Sequence, residues 1–222
     1  MLHADLPLAI PLWINGRPYL TMAPRFLDVR NPASGEVLRR TPLCGPVEAL
    51  EAVEAARAAL VQWSAKGAAK RAALLADLGA ALSGFASHFA RLITEETGKN
   101  SESAAEEVAA AVTLLCGADS DLAVPIGILG IVGDSTEPLL GSLRLAVPAL
   151  IAGGVIVARP SPETPSVLFA LAELAGRCGF PAGVFNILHG QEEAIDGLHA
   201  IDGVNLLFSM ASPSTFDSRR TK

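Results

Sequence analysis

Four short apolar runs punctuate the second half of the chain: Ile126–Val132, Val155–Ala158, Val184–Leu188 and Val204–Phe208. Each is nearly continuous in Ile, Val, Leu and Phe, the pattern of a strand buried on both faces. The segments between them, about 137–152, 164–179 and 191–200, are long enough for crossover helices. A β-α-β-α-β-α-β order predicts a parallel sheet with right-handed connections. In such a sheet the site lies outside the carboxyl ends of the strands.

The first half reads differently. Residues 1–11 carry no clear pattern, and Leu12-Trp13-Ile14-Asn15-Gly16-Arg17 then places an Asn-Gly turn after an apolar run, which predicts a hairpin. A strand is expected around Phe26–Val29, and another at Val37–Leu38 after the turn cluster Asn31-Pro32-Ala33-Ser34-Gly35-Glu36. From Pro46 the period becomes helical, with Leu50, Val53 and Leu60 assigned to one face. A second helix, about 68–83, carries Leu74, Leu75, Leu78 and Leu82. A third groups Phe85, Phe89, Leu92 and Ile93 and ends at Gly98. A fourth starts at Asn100 or Ser101 and buries Val108, Val112 and Leu115. The expected organisation is N-terminal strands and helices over 1–124, a βα region over 125–210 and a loose tail over 211–222, with 1–210 forming one structural domain.

Composition narrows the function classes. The 222 residues carry a formal net charge of -6 and 18% charged residues. Only Arg39–Arg40 and Arg219–Arg220 pair basic residues, so no nucleic-acid surface is expected. Cys44, Cys116 and Cys178 are widely spaced and odd in number, and the histidines His3, His88, His189 and His199 have no metal spacing. Neither a disulfide framework nor a metal site is predicted. The longest apolar run, Leu145–Ala158, is broken by Pro148, Gly153 and Gly154, and a membrane span needs about 20 residues. With no basic, apolar leader at the N-terminus, a cytoplasmic protein without membrane contact is expected.

Several motifs carry a family likeness in order along the chain. Trp13-Ile14-Asn15-Gly16 and Asn31-Pro32-Ala33-Ser34-Gly35-Glu36-Val37 come first, then Glu95-Glu96-Thr97-Gly98-Lys99 and Pro125-Ile126-Gly127-Ile128-Leu129-Gly130. Arg159-Pro160-Ser161-Pro162-Glu163-Thr164-Pro165 and Gly179-Phe180-Pro181-Ala182-Gly183-Val184-Phe185-Asn186 follow. Over about residues 12–208 the sequence resembles the NAD(P)-dependent aldehyde dehydrogenase superfamily. The resemblance implies an α/β fold: a Rossmann-like parallel sheet that binds NAD or NADP without a G-x-G-x-x-G loop, preceded by a helical segment with a small strand hairpin. It also implies covalent catalysis by a cysteine thiolate, an oxyanion held by an asparagine amide, and a glutamate that activates water.

The same resemblance implies that the catalytic domain is absent from this chain, because the family's cysteine and glutamate lie beyond the last of these strands. No catalytic residue is therefore assigned, and the three cysteines read as structural. Where the family has its oxyanion asparagine, this chain has Asp134-Ser135-Thr136-Glu137-Pro138, with Thr136 read as the cap of a helix starting at Glu137. Arg159 replaces a cofactor-binding lysine, and Arg159 and Ser161 are the candidate nucleotide contacts. A strand-end arginine, partly exposed, is an equal reading of Arg159. Pro162 stands where NAD-using members have a ribose-binding glutamate, with Glu163 its only neighbouring substitute. His189-Gly190-Gln191-Glu192-Glu193 puts two acids where a pyrophosphate would sit, and Met210 stands in place of a glycine. About nine residues separate Leu115 from Pro125, where the family has an arm that pairs with another subunit.

Besides a nucleotide-binding module without catalysis, which needs Arg159 and Ser161 to hold a dinucleotide despite Glu192, Glu193 and Met210, two functions are open at this point. One is a degenerate, non-catalytic module with a structural or interaction role, like the cysteine-less repeat of tandem-domain family members. Its partner would be an active aldehyde dehydrogenase subunit or a second copy. The other is part of an NAD(P)-dependent aldehyde dehydrogenase, oxidising aldehydes to acids, completed by another chain or truncated here. A parent sheet of this type continues past the fourth strand, so on a truncated chain the strand at Val204–Phe208 is expected to have an unpaired or poorly covered edge, a site for partner binding or aggregation.

Overall fold

A computed structural model describes residues 7–22, 25–118 and 127–209. The expectations for Pro125 and Ile126, for the short connection before them, for Met210 and for the tail over 211–222 lie outside the described residues.

The chain opens with a hairpin, β1 (Leu12–Ile14) and β2 (Arg17–Tyr19), paired antiparallel. Asn15 and Gly16 both have positive φ, at 55° and 71°. An Asn-Gly turn adopts that backbone at little cost, and its twist matches that of the strands it joins. A separate two-stranded sheet follows, β3 (Phe26–Arg30) and β4 (Val37–Pro42).

Four helices come next: α1 (Pro46–Ala65), α2 (Ala68–Gly84), α3 (Ala86–Thr97) and α4 (Ser101–Cys116). Pro46 occupies the first turn of α1, and the Glu48 carboxylate accepts the Gly45 N–H at 3.0 Å. Asn100 caps α4 through the Ser103 N–H at 2.7 Å, and Gly98 closes α3 in the left-handed region. Two assignments of the buried face need correction. Leu50 is half exposed, because α1 turns Ala49, Ala52, Val53, Ala56, Ala59 and Trp63 inward. Small side chains let this helix approach the sheet closely, so the larger Leu50 faces out. Phe85 is also half exposed, because it sits in the junction between α2 and α3 rather than within α3.

The βα region runs β5 (Ile128–Val132), α5 (Leu140–Ala152), β6 (Val155–Arg159), α6 (Ser166–Arg177), β7 (Phe185–Ile187), α7 (Glu192–His199) and β8 (Val204–Phe208). These four strands pair in parallel. The main sheet has the order β2-β1-β7-β6-β5-β8, with β1 antiparallel to β7. The N-terminal hairpin thus extends the parallel sheet, a long-range pairing that nothing local in its sequence announces.

From β5 to β7 the chain steps one way across the sheet, then returns past β5 to β8. Right-handed crossovers put α5 and α6 on one face and α7 on the other. Accordingly α5 and α6 pack with α2, α3 and α4, while α7 packs on α1. Trp63 anchors the α1 side. It is fully buried, stacks on Phe180 at 5.4 Å, and donates its indole N–H to the Leu150 carbonyl at 3.0 Å. Truncating such a residue to Ala costs about 3–5 kcal/mol.

One strand departs from the buried pattern. β5, β6 and β7 are buried along their length, but β8 is only half buried, with Asn205 and Phe208 exposed. Among the described residues it is the last strand on that side of the sheet. Among the described residues, no single helix is long and apolar enough to cross a membrane.

Candidate functional site

The carboxyl ends of β6 and β7 bound an open crevice of about 340 Å³, lined by Arg159, Pro162, Gln191, Glu192 and Glu193. The last residue of β6 supplies Arg159. The turn after it supplies Pro162, and the connection from β7 into the first turn of α7 supplies the rest.

Arg159 is buried rather than partly exposed. Its Nη1 donates to the Pro160 carbonyl at 3.2 Å, and its Nε has no partner among the described residues. Burial pushes the guanidinium pKa down, and the nearby Glu192 carboxylate opposes that shift. The guanidinium is therefore desolvated, under-bonded and partly offset by an acid from the same crevice. Ser161 does not line the crevice. It is buried, and its hydroxyl accepts the Glu163 N–H at 3.4 Å within the turn. The two candidate contacts are neighbours in sequence, yet only Arg159 faces the opening. Glu163 is exposed and outside the lining. Glu192 and Glu193 form the exposed first turn of α7, where carboxylates favour a helix N-terminus.

At the end of β5, Asp134 organises the loop into α5. Its Oδ1 accepts the N–H groups of Thr136 at 2.6 Å and Glu137 at 3.2 Å, and its Oδ2 accepts the Ser209 hydroxyl at 3.3 Å. Thr136 is not the cap that the sequence suggests. The helix begins at Leu140, and its leading N–H groups, on Leu139 and Leu140, donate to Glu107 Oε1 at 2.9 and 3.2 Å. Glu107 is buried on α4 and also takes the Lys99 ammonium at 2.6 Å. A second buried acid, Glu96 on α3, accepts the backbone N–H of Ser166 at 3.1 Å, together with the Ser166 hydroxyl. Arg39 Nη1 closes that cluster at 3.0 Å. Burial raises the Glu96 pKa, and the Ser166 and Arg39 contacts pull against that rise.

The helix pattern held a signal for both acids. Glu96 falls in the Phe89, Leu92, Ile93 stripe, and Glu107 in the Ala104, Val108, Ala111 stripe. An acid on a buried stripe needs donors from a neighbouring element. Here the donors are the N-termini of α6 and α5, the two crossover helices on that face.

The thiols and the buried imidazole do not form a nucleophilic set. Cys44 is buried, and desolvation, with help from the Glu48 charge, pushes its thiol up to about 12. Burial and Asp77 raise the Cys178 thiol as well. Cys116 is exposed at the end of α4. His189 is buried with its pKa pushed down to about 4 by desolvation, and its Nε2 donates to the Pro11 carbonyl at 3.1 Å. No group of three or more His, Cys, Asp or Glu among the described residues could hold a metal ion.

The sequence model of the aldehyde dehydrogenase family matches residues 20–123 and 119–217. Malonate-semialdehyde dehydrogenase of Listeria monocytogenes serotype 4b is 31% identical over 207 residues, covering 84% of this chain and 42% of that protein. The Pseudomonas aeruginosa malonate-semialdehyde dehydrogenase is 33% identical over 195 residues, covering 78% and 39%. Among solved structures, lactaldehyde dehydrogenase from Escherichia coli superposes with a TM-score of 0.82 at 28% identity, covering 87% of this chain and 45% of that one. Indole-3-acetaldehyde dehydrogenase of P. syringae, solved as a variant in complex with NAD+ and IAA, gives 0.85 at 25% identity, covering 92% and 46%. The chain spans less than half the length of each of these relatives. The matched residues extend over most of the sequence, and the chain belongs to the aldehyde dehydrogenase family.

Proposed function

We propose that this chain is a non-catalytic aldehyde dehydrogenase-family module, kept for a structural or interaction role, whose crevice no longer holds a dinucleotide. The observation that carries this reading is the pair Glu192 and Glu193 at the N-terminus of α7. A pyrophosphate is favoured at a helix N-terminus because free N–H groups and the helix dipole meet it there. Two carboxylates compete for the same donors. Each carboxylate–phosphate pair at 4 Å is repulsive by about 1 kcal/mol in water and about 4 kcal/mol near a protein surface.

Other features point the same way. Pro162 lines the crevice where a ribose acceptor is expected, and proline has no side-chain acceptor. The Asp134–Glu137 stretch puts acids, not an amide, where an oxyanion would form. Cys44 and Cys178 have raised thiol pKa values, the opposite of an activated nucleophile. The residues present do not fit NAD or NADP. Titrating the protein with NAD+ and NADP+ by calorimetry should give no saturable heat below about 1 mM ligand, equivalent to about 4 kcal/mol of affinity.

A second reading, the nucleotide-holding part of an NAD(P)-dependent aldehyde dehydrogenase, is favoured by one observation. The buried Arg159 Nε lacks a partner and borders the crevice, as a guanidinium awaiting a phosphate would. On that reading the substrate class is an aldehyde, with malonate semialdehyde suggested by the relatives' names.

A further inference from the structure

Three buried side-chain atoms lack a hydrogen-bond partner among the described residues: Ser142 Oγ, Arg159 Nε and Thr164 Oγ1. Of the three residues only Arg159 carries a charge, and only Arg159 lines the crevice. It is 8% exposed, and its one hydrogen bond goes to the adjacent Pro160 carbonyl. A guanidinium presents a planar fork of donors that matches a carboxylate, and a buried charge is ordinarily paired. The group is therefore short of an anionic partner.

The acids across the crevice do not fill that role. Glu192 acts on Arg159 through its charge, yet no hydrogen bond joins Arg159 to Glu192 or Glu193. A gap separates the buried cation at the base from two exposed carboxylates at the rim. Pro162 gives the gap an apolar wall, and Gln191, whose side chain caps no N–H of α7, adds an amide. This order of charges selects a ligand. A phosphate or a lone carboxylate meets one cation but two acids, and a lone amine leaves the guanidinium unpaired. A molecule with a carboxylate at one end and an ammonium at the other satisfies both sides of the crevice.

We infer that the crevice is a binding site for a small zwitterionic amino acid, with its carboxylate on Arg159 and its ammonium between Glu192 and Glu193. The methylenes between the two ends lie against Pro162. A crevice of about 340 Å³ has room for such a molecule. The inference rests on the reading that this crevice does not hold a dinucleotide. The acids that repel a pyrophosphate are, on this account, the groups that recognise the ammonium.

Calorimetric titration with δ-aminovalerate tests it, with valerate and pentylamine as single-charge controls and NAD+ titrated into the same protein. The expected result is saturable binding of δ-aminovalerate with a Kd below about 1 mM, and at least roughly tenfold weaker binding of each control. Glu192→Gln with Glu193→Gln changes exposed side chains only, and should weaken δ-aminovalerate by at least roughly tenfold without weakening valerate. Arg159→Met should abolish saturable binding, and the glutamate variant carries the test if Arg159→Met does not fold. No saturable binding of δ-aminovalerate, equal binding of either control, or indifference to the glutamate variant overturns the inference. Silence from both δ-aminovalerate and NAD+ overturns this inference alone, whereas saturable NAD+ binding overturns the reading beneath it.

Discussion

Glu107 Oε1 accepts the backbone N–H of Leu139 at 2.9 Å, tying the helical layer to the start of a crossover helix 32 residues further along the chain. The neighbouring Leu140 N–H and the Lys99 ammonium complete its shell. Glu96 does the same for α6 through Ser166. Two buried acids on adjacent helices thus cap the two crossover helices of that face, and each is balanced by one cation.

Glu107→Ala leaves two buried N–H groups and the Lys99 ammonium without an acceptor. Breaking a buried, hydrogen-bonded charge pair from one side costs about 3–5 kcal/mol. Urea unfolding of this variant should show a loss of that order. A loss under about 1 kcal/mol, the worth of an ordinary hydrogen bond, would contradict the capping role.

His189 predicts an acid weakness. Its folded pKa, pushed down to about 4, lies below the ordinary value of 6.5. Between those values the unfolded chain binds the proton and the folded chain does not, so stability is lost as pH falls from 6.5 toward 4. The shift corresponds to about 3 kcal/mol. Glu96 works in the opposite sense. Its raised folded pKa gives stability at low pH that is lost as pH rises through the shifted value. His189→Gln should flatten the fall measured by urea unfolding between pH 6.5 and 4. An unchanged slope would assign the acid lability to other groups.

The thiols should separate by accessibility. Cys116, exposed, should react with a disulfide reagent at once, and Cys178, half buried, more slowly. Cys44, with its thiol pushed up to about 12, should react only after denaturation. A fast, low-pKa reaction at Cys44 would contradict its structural role.

Much of this fold was legible from period and punctuation. The runs at Val155–Ala158 and Val204–Phe208 are strands, the segments between them are helices, and Asn15-Gly16 turns a hairpin. Local physics sets those features. What was not legible depends on distant partners. Leu50 faces out because alanines make the close contact of α1, and β1 joins the parallel sheet through a pairing of Trp13 with Ile187. The cap of α5 comes from Glu107 and not from Thr136, a choice that tertiary packing makes. In the crevice the sequence pointed to Arg159 and Ser161 together, but Ser161 turns into its own loop. The acids Glu192 and Glu193 were visible as a pair, and the structure puts them in one lining with Arg159.

Neutralising that acid pair should show what it does. Glu192→Gln with Glu193→Gln keeps side-chain size and removes two charges from the first turn of α7. If the acids exclude a dinucleotide, the double variant should gain at least roughly tenfold in NAD+ affinity, about 1.4 kcal/mol. No gain would place the obstruction elsewhere in the crevice.

The most direct measurement is calorimetric titration of the unmodified protein with NAD+ and NADP+, paired with a thermal-shift assay on the same sample. The account predicts no saturable heat below about 1 mM and no change in Tm with either nucleotide. Saturable binding of either one below that concentration, with a matching rise in Tm, would contradict it and identify the crevice as a working nucleotide site.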